Sequence, residues 1–324
     1  MQTKKLGWTD LELSTIGLGS WALGGADWEY GWGYQDDRKS IYTVQRALEL
    51  GINWLDTAPI YGLGHSEEVV GKAIRSLSHK PVISTKCGQI MDKSGNICSC
   101  LKKNSIRTEV DASLKRLKVE VIDLYQIHWP LPDNDIEIAW IAIADLIKEG
   151  KILYAGVSNF SIEQLKRIQS IHPVAFLQPP YSMIKRGIEE VILDYCHANK
   201  IGVIAYSPMH KGLLTGKYNI KLIQNLPNDD HRSNDKRFQE PELSANLKLV
   251  DGLTSIANKN GKTVGELAIA WVLRRPEVTA AIVGARCPSQ VEENVIAGER
   301  ALSKEDIIAI ETLLVQRQKT FEHS

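Results

Sequence analysis

Apolar residues along the chain fall into short, nearly continuous runs, each followed by a stretch in which they recur every three or four positions. The runs lie near residues 15–19, 52–57, 82–86, 121–128, 152–158, 174–178, 202–207 and 279–284. Unbroken runs of this length predict strands buried on both faces, as in a parallel sheet; a one-sided sheet would alternate apolar and polar. The stretches between them predict helices. Ile41, Val44 and Leu48 share one helical face, with Gly51 as a C-terminal stop, and Ile106, Val110, Leu114 and Leu117 share another. Ile162, Leu165 and Ile168 follow a capping box of Ser161 and Gln164, and a second box of Ser289 and Glu292 is expected on the helix of Val291 and Val295. Glu67 and Glu68 open the second helix, where negative charge suits the dipole.

Eight strand-then-helix units predict an α/β fold, a (β/α)8 barrel, whose usual length is about 250 residues. The 324 residues leave a surplus. Residues 3–14 are expected to form a hairpin across the bottom of the barrel, 88–104 and 209–245 long polar loops after the third and seventh strands, and 303–318 a C-terminal extra helix. No linker or repeat array divides the chain, so 1–324 is expected to be one domain. A doubly wound sheet would want G-x-G-x-x-G after an early strand; Gly17-Leu18-Gly19-Ser20-Trp21-Ala22 has the first two glycines and lacks the third.

Composition adds exclusions. Lys+Arg and Asp+Glu are equal at 39 each, so no global charge favours nucleic acid or an anionic membrane. No apolar stretch approaches the roughly 18 residues of a membrane span. The first residues have no apolar run behind their lysines and are not expected to be a secretory signal. The five cysteines are odd in number, and Cys98-x-Cys100 is too tight for the usual zinc knuckle. Reduced thiols, no metal and a cytoplasmic location are the expectation.

The chemistry gathers at strand ends. Asp56 closes the second run, Lys86 the third and His128 the fourth, and Tyr61 lies five residues past Asp56. Barrels of this kind carry catalytic groups at the C-terminal ends of their strands. A free phenol, with pKa about 10, is a weak acid at neutral pH. A neighbouring ammonium would lower that pKa. Lys86 is expected to supply this charge, Asp56 to hold Lys86, and His128 to orient a substrate carbonyl. Each residue alone has a plainer role: a loop carboxylate, a solvated lysine, a core histidine. Their joint placement is what argues for proton transfer to a carbonyl oxygen. Tyr181-x-x-x-Lys185 fits the pair used by short-chain dehydrogenases, but that pattern is common by chance and the glycine fingerprint is missing.

Three longer segments carry a resemblance. They are Asn53-Trp54-Leu55-Asp56-Thr57-Ala58 with Tyr61-Gly62 and Ser66-Glu67-Glu68-Val69-Val70-Gly71; Ile122-Asp123-Leu124-Tyr125-Gln126-Ile127-His128-Trp129-Pro130; and Gly156-Val157-Ser158-Asn159-Phe160. In these the chain resembles the aldo-keto reductases along nearly its whole length. The resemblance implies a (β/α)8 barrel, a nicotinamide cofactor bound without a Rossmann domain, and Asp56, Tyr61, Lys86 and His128 as the catalytic residues. It implies that Ser158, Asn159 and Gln178 grip the nicotinamide carboxamide and that Tyr206 stacks on the ring. It assigns Ser207, Pro208, Met209, Gly212, Leu213 and Lys217 to the loop along the pyrophosphate, with Arg232 as a further clamp. Gly284, Arg286, Gln290, Glu293 and Asn294 correspond to the adenosine site. Many members carry lysine at the position of Gly284 and arginine at that of Gln290, so Arg286 is the remaining cation for a 2′-phosphate. The resemblance implies NADPH, with NADH as the alternative.

Trp21 and Trp129 are candidates for the substrate pocket, and Trp28, Tyr30 and Trp32 either line it or pack a loop against the barrel. The expected partner is a small carbonyl compound, reduced as an aldehyde, ketone or sugar. Two other readings compete: a regulatory subunit that binds cofactor with weak turnover, as channel β subunits of this fold do, and a polyol or sugar dehydrogenase running in the oxidative direction. Substrate and oligomeric state are open at this level.

Overall fold

The computed structural model of the chain describes residues 1–26, 28–227 and 230–322. A two-stranded antiparallel hairpin opens the chain, β1 (Thr3–Lys5) with β2 (Glu12–Ser14). Then come β3 (Ile16–Gly19), α1 (Asp37–Glu49), β4 (Trp54–Asp56) and α2 (His65–Ile74). The strand β5 (Val82–Cys87) runs into a second hairpin, β6 (Gln89–Met91) and β7 (Ile97–Ser99), before α3 (Lys103–Leu117). The order continues as β8 (Ile122–Ile127), α4 (Ile136–Lys148), β9 (Ile152–Ser158), α5 (Ile162–Gln169), β10 (Phe176–Gln178) and α6 (Ile192–Ala198). After β11 (Gly202–Tyr206) come α7 (Ile220–Gln224), α8 (Glu242–Lys259) and α9 (Val264–Leu273). The chain ends with β12 (Val278–Gly284), α10 (Pro288–Glu299) and α11 (Lys304–Glu322).

The eight strands β3, β4, β5, β8, β9, β10, β11 and β12 pair in that order, all in parallel, and β12 closes onto β3. This is the (β/α)8 barrel expected from the apolar runs. Its interior is filled by Trp54, Leu124, Phe176, Ile204, Ala280 and Ile282, and Leu6 and Leu13 of the N-terminal hairpin segment join them from one end. Large rings need small partners here. A methyl group at Gly17 would lie 2.1 Å from the Trp54 ring, and one at Gly156 2.4 Å from the Phe176 ring. The larger core lies between barrel and helices and includes Val44, Ile106, Val110, Trp140, Leu165, Ile168 and Trp271.

Four expectations change in detail. Residues 88–104 contain the β6–β7 hairpin and the start of α3. Residues 209–245 are not one polar loop: they hold α7, three 3-10 turns and the start of α8, packed around a small core of Leu213, Ile223, Phe238 and Leu243. The Ser161–Gln164 capping box is present, but the Ser289–Glu292 box is not. Pro288 occupies the first turn of α10 and Cys287 is its N-cap, which puts Ser289 inside the helix. The last helix runs to Glu322, four residues beyond the expected 318. Among the described residues no helix is long and apolar enough to cross a membrane.

Candidate active site

The barrel strands deliver their last residues to one cavity of about 930 Å³. Gly19, Asp56, Ser158, Gln178, Tyr206 and Gly284 each end a strand and each line it, and His128 lines it from the position just past β8. This is the C-terminal face, where the strand-to-helix loops converge.

Asp56 lines its floor, with Lys86 directly behind it. Lys86 is fully buried on β5 and lies behind the cavity wall. Its Nζ donates to Asp56 Oδ2 at 2.7 Å and to the Thr57 carbonyl at 2.8 Å. Asp56 Oδ1 accepts from Gln178 Nε2 at 2.9 Å and from Ser84 Oγ at 3.2 Å. Buried charges of this kind survive only when paired and hydrogen-bonded. Burial lowers the Lys86 ammonium, and Asp56 opposes that shift.

Tyr61 stands above this pair, on the 3-10 turn after β4, with Lys86 Nζ 5.0 Å from its ring centroid. Its ring meets His128 at 5.9 Å, nearly perpendicular, and stacks on Trp21 at 6.0 Å. The phenol is pushed well up from its usual value, first by burial and then by the Asp56 carboxylate. The expected lowering by Lys86 is therefore not found: burial of the phenol outweighs it, and the Asp56 carboxylate adds to the rise. Tyr61 stays a protonated phenol and keeps its proton available for donation. His128 is held well below its usual value by burial and by Lys86, so its imidazole is neutral. The carbonyl oxygen of His128 accepts from Asn159 Nδ2 at 3.0 Å, which ties the β8 and β9 ends together.

The remaining predicted residues spread along the cavity. Ser158 Oγ donates to the Gln178 carbonyl at 2.8 Å, and Tyr206 hydroxyl donates to Asn159 Oδ1 at 2.9 Å, which fixes the Tyr206 ring at the cavity wall. Ser207, Pro208, Met209, Gly212, Lys217, Gln290, Glu293 and Asn294 line it further out. Leu213 does not: its side chain is fully buried in the small core beside Ile223, and its N–H bonds the His210 carbonyl. Lys217 is paired with Glu293 at 2.9 Å, across from the β11 loop to α10. Arg232 is buried, paired with Asp230, and lies over the Trp32 ring at 4.7 Å. Arg286 differs, since its guanidinium donates to Gln35 Oε1 at 2.9 Å and to the Tyr34 carbonyl and meets no carboxylate among the described residues. Burial and the nearby Arg232 both lower it.

Trp21 and Trp129 line the cavity, and so do Trp28, Tyr30 and Trp32, whose rings also pack on one another and on His231 and Arg232. Sequence reasoning missed Gln89, Ile97 and Ser99 of the β6–β7 hairpin, and His231. Tyr181 is fully buried outside the cavity, bonded to Glu189 and Arg274, so the Tyr181–Lys185 pattern is structural.

A closed barrel with convergent polar groups in one strand-end cavity defines a (β/α)8 enzyme. Residues 15–315 match the Aldo/keto reductase family. Over 308 residues the chain is 40% identical to Aldo-keto reductase YhdN of Bacillus subtilis, covering 94% of this chain and 91% of that protein. Over 320 residues it is 34% identical to the NADH-specific methylglyoxal reductase of Escherichia coli, covering 94% and 96%. The glycerol dehydrogenase AKR11B4 from Gluconobacter oxydans is similar in structure, with a TM-score of 0.88 at 39% identity over 97% of this chain and 95% of that one. The chain belongs to the aldo-keto reductase family, oxidoreductases that work with nicotinamide cofactors.

Proposed function

We propose that the protein reduces the carbonyl of an aldehyde, ketone or sugar with hydride from NADPH, with Tyr61 as general acid. One observation carries this reading. The Tyr61 phenol, neutral and without a hydrogen-bond partner among the described residues, lines the cavity beside the neutral His128, above the buried Lys86–Asp56 pair. A carbonyl oxygen placed between Tyr61 and His128 would accept hydrogen bonds from both, and these strengthen as the oxygen gains negative charge. Tyr61 then gives up its proton, and the Lys86 ammonium stabilises the phenolate left behind.

The residues present suit a phosphorylated dinucleotide. The loop after β11 places His210, Lys211 and Gly212 at positive φ of 46, 56 and 92°. Lys211 and Lys217 of this loop both line the cavity, and cations there suit a pyrophosphate. Tyr206 offers a fixed aromatic face, and Ser158, Asn159 and Gln178 a polar rim around it. Arg286 is a half-buried cation with no carboxylate partner among the described residues, a state that a 2′-phosphate would relieve. This supports NADPH over NADH here, although the Escherichia coli relative is named for NADH. When bound, the cofactor supplies hydride; the protein supplies orientation, exclusion of water and the proton.

A polyol oxidation at the same site is the reverse reaction, and the likeness to a glycerol dehydrogenase favours keeping it as the second reading. We take residues 1–324 as one domain acting on a small molecule. The test is consumption of NADPH, followed by absorbance, against a panel of aldehydes, ketones and sugars. Tyr61→Phe is expected to lower kcat by about 100-fold or more with NADPH binding retained. Near-normal turnover in that variant would remove Tyr61 from the role. Tight NADPH binding with no turnover on any carbonyl would favour a cofactor-binding regulator.

A further inference from the structure

The β6–β7 hairpin leaves the barrel between the two side chains that would hold a carbonyl oxygen. In the barrel order β5 lies between β4, which leads to Tyr61, and β8, which leads to His128. The His128 N–H donates to the carbonyl of Cys87, the last residue of β5, at 3.0 Å, and the hairpin starts two residues on. Its base is held by the Gly88 N–H on Glu109, at 2.8 Å, and by the Cys100 N–H on the Gly88 carbonyl, at 3.1 Å. One face of the hairpin is turned to the cavity. Gln89 and Ser99 pair directly across the two strands, so their side chains share a face, and Ile97 joins them by alternation. All three line the cavity, whereas Ile90 and Cys98, on the opposite face, do not.

On this face Gln89 and Ser99 hold each other. Gln89 Nε2 donates to Ser99 Oγ at 2.6 Å and to the Gly88 carbonyl at 3.2 Å. A carbonyl only accepts, so the amide nitrogen faces it and the amide oxygen does not. Gln89 Oε1 has no partner among the described residues, and it is not one of the unmatched atoms closed off from solvent. Ser99 Oγ accepts from Gln89 and keeps its own hydrogen for a further acceptor. An acceptor and a donor thus sit side by side on a fixed mount. A carboxylate would meet the donor and be repelled by the amide oxygen. An ammonium would do the opposite, and an alkyl chain would meet neither. A hydroxyl both donates and accepts, and satisfies the two together. The aromatic wall beside Tyr61 offers less, since the indole N–H groups of Trp21 and Trp28 are already bonded to the carbonyls of Tyr30, at 3.0 Å, and Gly25, at 3.3 Å.

We propose that Gln89 and Ser99 select for a substrate hydroxyl, which donates to Gln89 Oε1 and accepts from the Ser99 hydroxyl. The inference rests on the carbonyl-reductase reading above and narrows its substrate class to hydroxylated aldehydes and ketones, or to polyols in the reverse direction. Both residues are half-buried, so water competes for the same atoms and the discrimination is modest, about 10-fold.

The test is the ratio of kcat/KM for glyceraldehyde to that for propanal, in the wild type and in Gln89→Leu, Ser99→Ala and Ser99→Thr. The intrinsic reactivity of the two aldehydes is common to all four enzymes, so the change in the ratio is what reports the pair. The ratio is expected to fall by about 10-fold in Gln89→Leu and by about 3-fold or more in Ser99→Ala. It should be kept within about 2-fold in Ser99→Thr, which retains the hydroxyl. A ratio that stands in either of the first two variants, or that Ser99→Thr fails to keep, would overturn the selection and leave the reductase reading intact. No wild-type turnover on any carbonyl or polyol would overturn both. Should a variant fail to fold, the wild type crystallised with NADP and glycerol decides. A glycerol oxygen bonded to both Gln89 Oε1 and Ser99 Oγ supports the pair, and glycerol elsewhere or absent overturns it.

Discussion

Asp56 and Lys86 are joined at 2.7 Å where neither reaches solvent, yet the two partners are not equivalent. Without Asp56 the Lys86 ammonium keeps one carbonyl, that of Thr57. Without Lys86 the carboxylate keeps Gln178 and Ser84 as neutral donors. Asp56→Asn is therefore expected to cost about 3–5 kcal/mol, the range for a buried charge stripped of its partner. Lys86→Met should cost less, by about 1 kcal/mol or more, because hydrogen bonds to the remaining charge survive. Urea unfolding of the two variants measures this, and the reverse order would mean that the ammonium carries the network. Glu109 offers a pH test. It accepts from the Gly88 N–H at 2.8 Å, where β5 passes into the β6–β7 hairpin, and from Ser105 Oγ at 2.9 Å. Burial raises it to about 7 against these bonds and Arg116. The folded state thus binds more protons than the unfolded chain between pH of about 4.5 and about 7. The stability that Glu109 contributes is fully present below that window and is lost as pH rises through it, on the order of 3 kcal/mol in all. Glu109→Gln keeps an acceptor for Gly88 and should flatten the dependence. A urea midpoint that falls equally in variant and wild type from pH 5 to pH 8 would exclude Glu109 as its source.

At the scale of elements, ring and glycine are matched across neighbouring strands. Gly156 of β9 pairs in register with Phe176 of β10, and a methyl group there meets the fully buried Phe176 ring at 2.4 Å. Gly156→Ala is expected to cost about 1–3 kcal/mol through overpacking. Gly187→Ala, with open space around the new methyl group, should stay within about 0.5 kcal/mol of wild type. Equal thermal midpoints for the two would show that β9 and β10 can part without cost. These strands were readable in the sequence because burial on both faces leaves an unbroken apolar run. The α5 cap was readable because both partners lie within four residues, Ser161 to Gln164. The α10 cap was misread because Pro288 sets the helix start and overrides the Ser289–Glu292 pattern. The segment after β11 was read as a loop because Leu213, Ile223, Phe238 and Leu243 form their core at no regular spacing. The convergence of Asp56, Tyr61, Lys86 and His128 was visible because strand ends of a barrel must meet. His231 and Ser99 were not, since they reach the cavity from segments whose course is set by tertiary contacts.

Across the whole molecule, the cavity runs from the aromatic wall at Tyr61 to Arg286 beside α10, so one ligand can bridge elements from both ends of the sequence. Gln35, in the segment after β3, binds the Arg286 carbonyl at 3.0 Å and its Nε at 2.9 Å. Lys217 and Glu293 join the β11 loop to α10. A cofactor lying along this path stabilises the fold by its own binding free energy, about 2.7 kcal/mol at a hundred times its Kd. The melting temperature should therefore rise with NADPH by several degrees, and less with NADH at the same concentration if Arg286 meets a 2′-phosphate. Arg286→Ala should bring the two cofactors together by lowering the NADPH shift, with a rise of about 10-fold in the NADPH Kd from the lost charge-assisted bonds. This readout needs no turnover, so it separates cofactor choice from substrate choice. A larger shift with NADH in the wild type, unchanged in Arg286→Ala, would assign the chain to NADH and leave Arg286 with its visible partners alone, Gln35 and Tyr34.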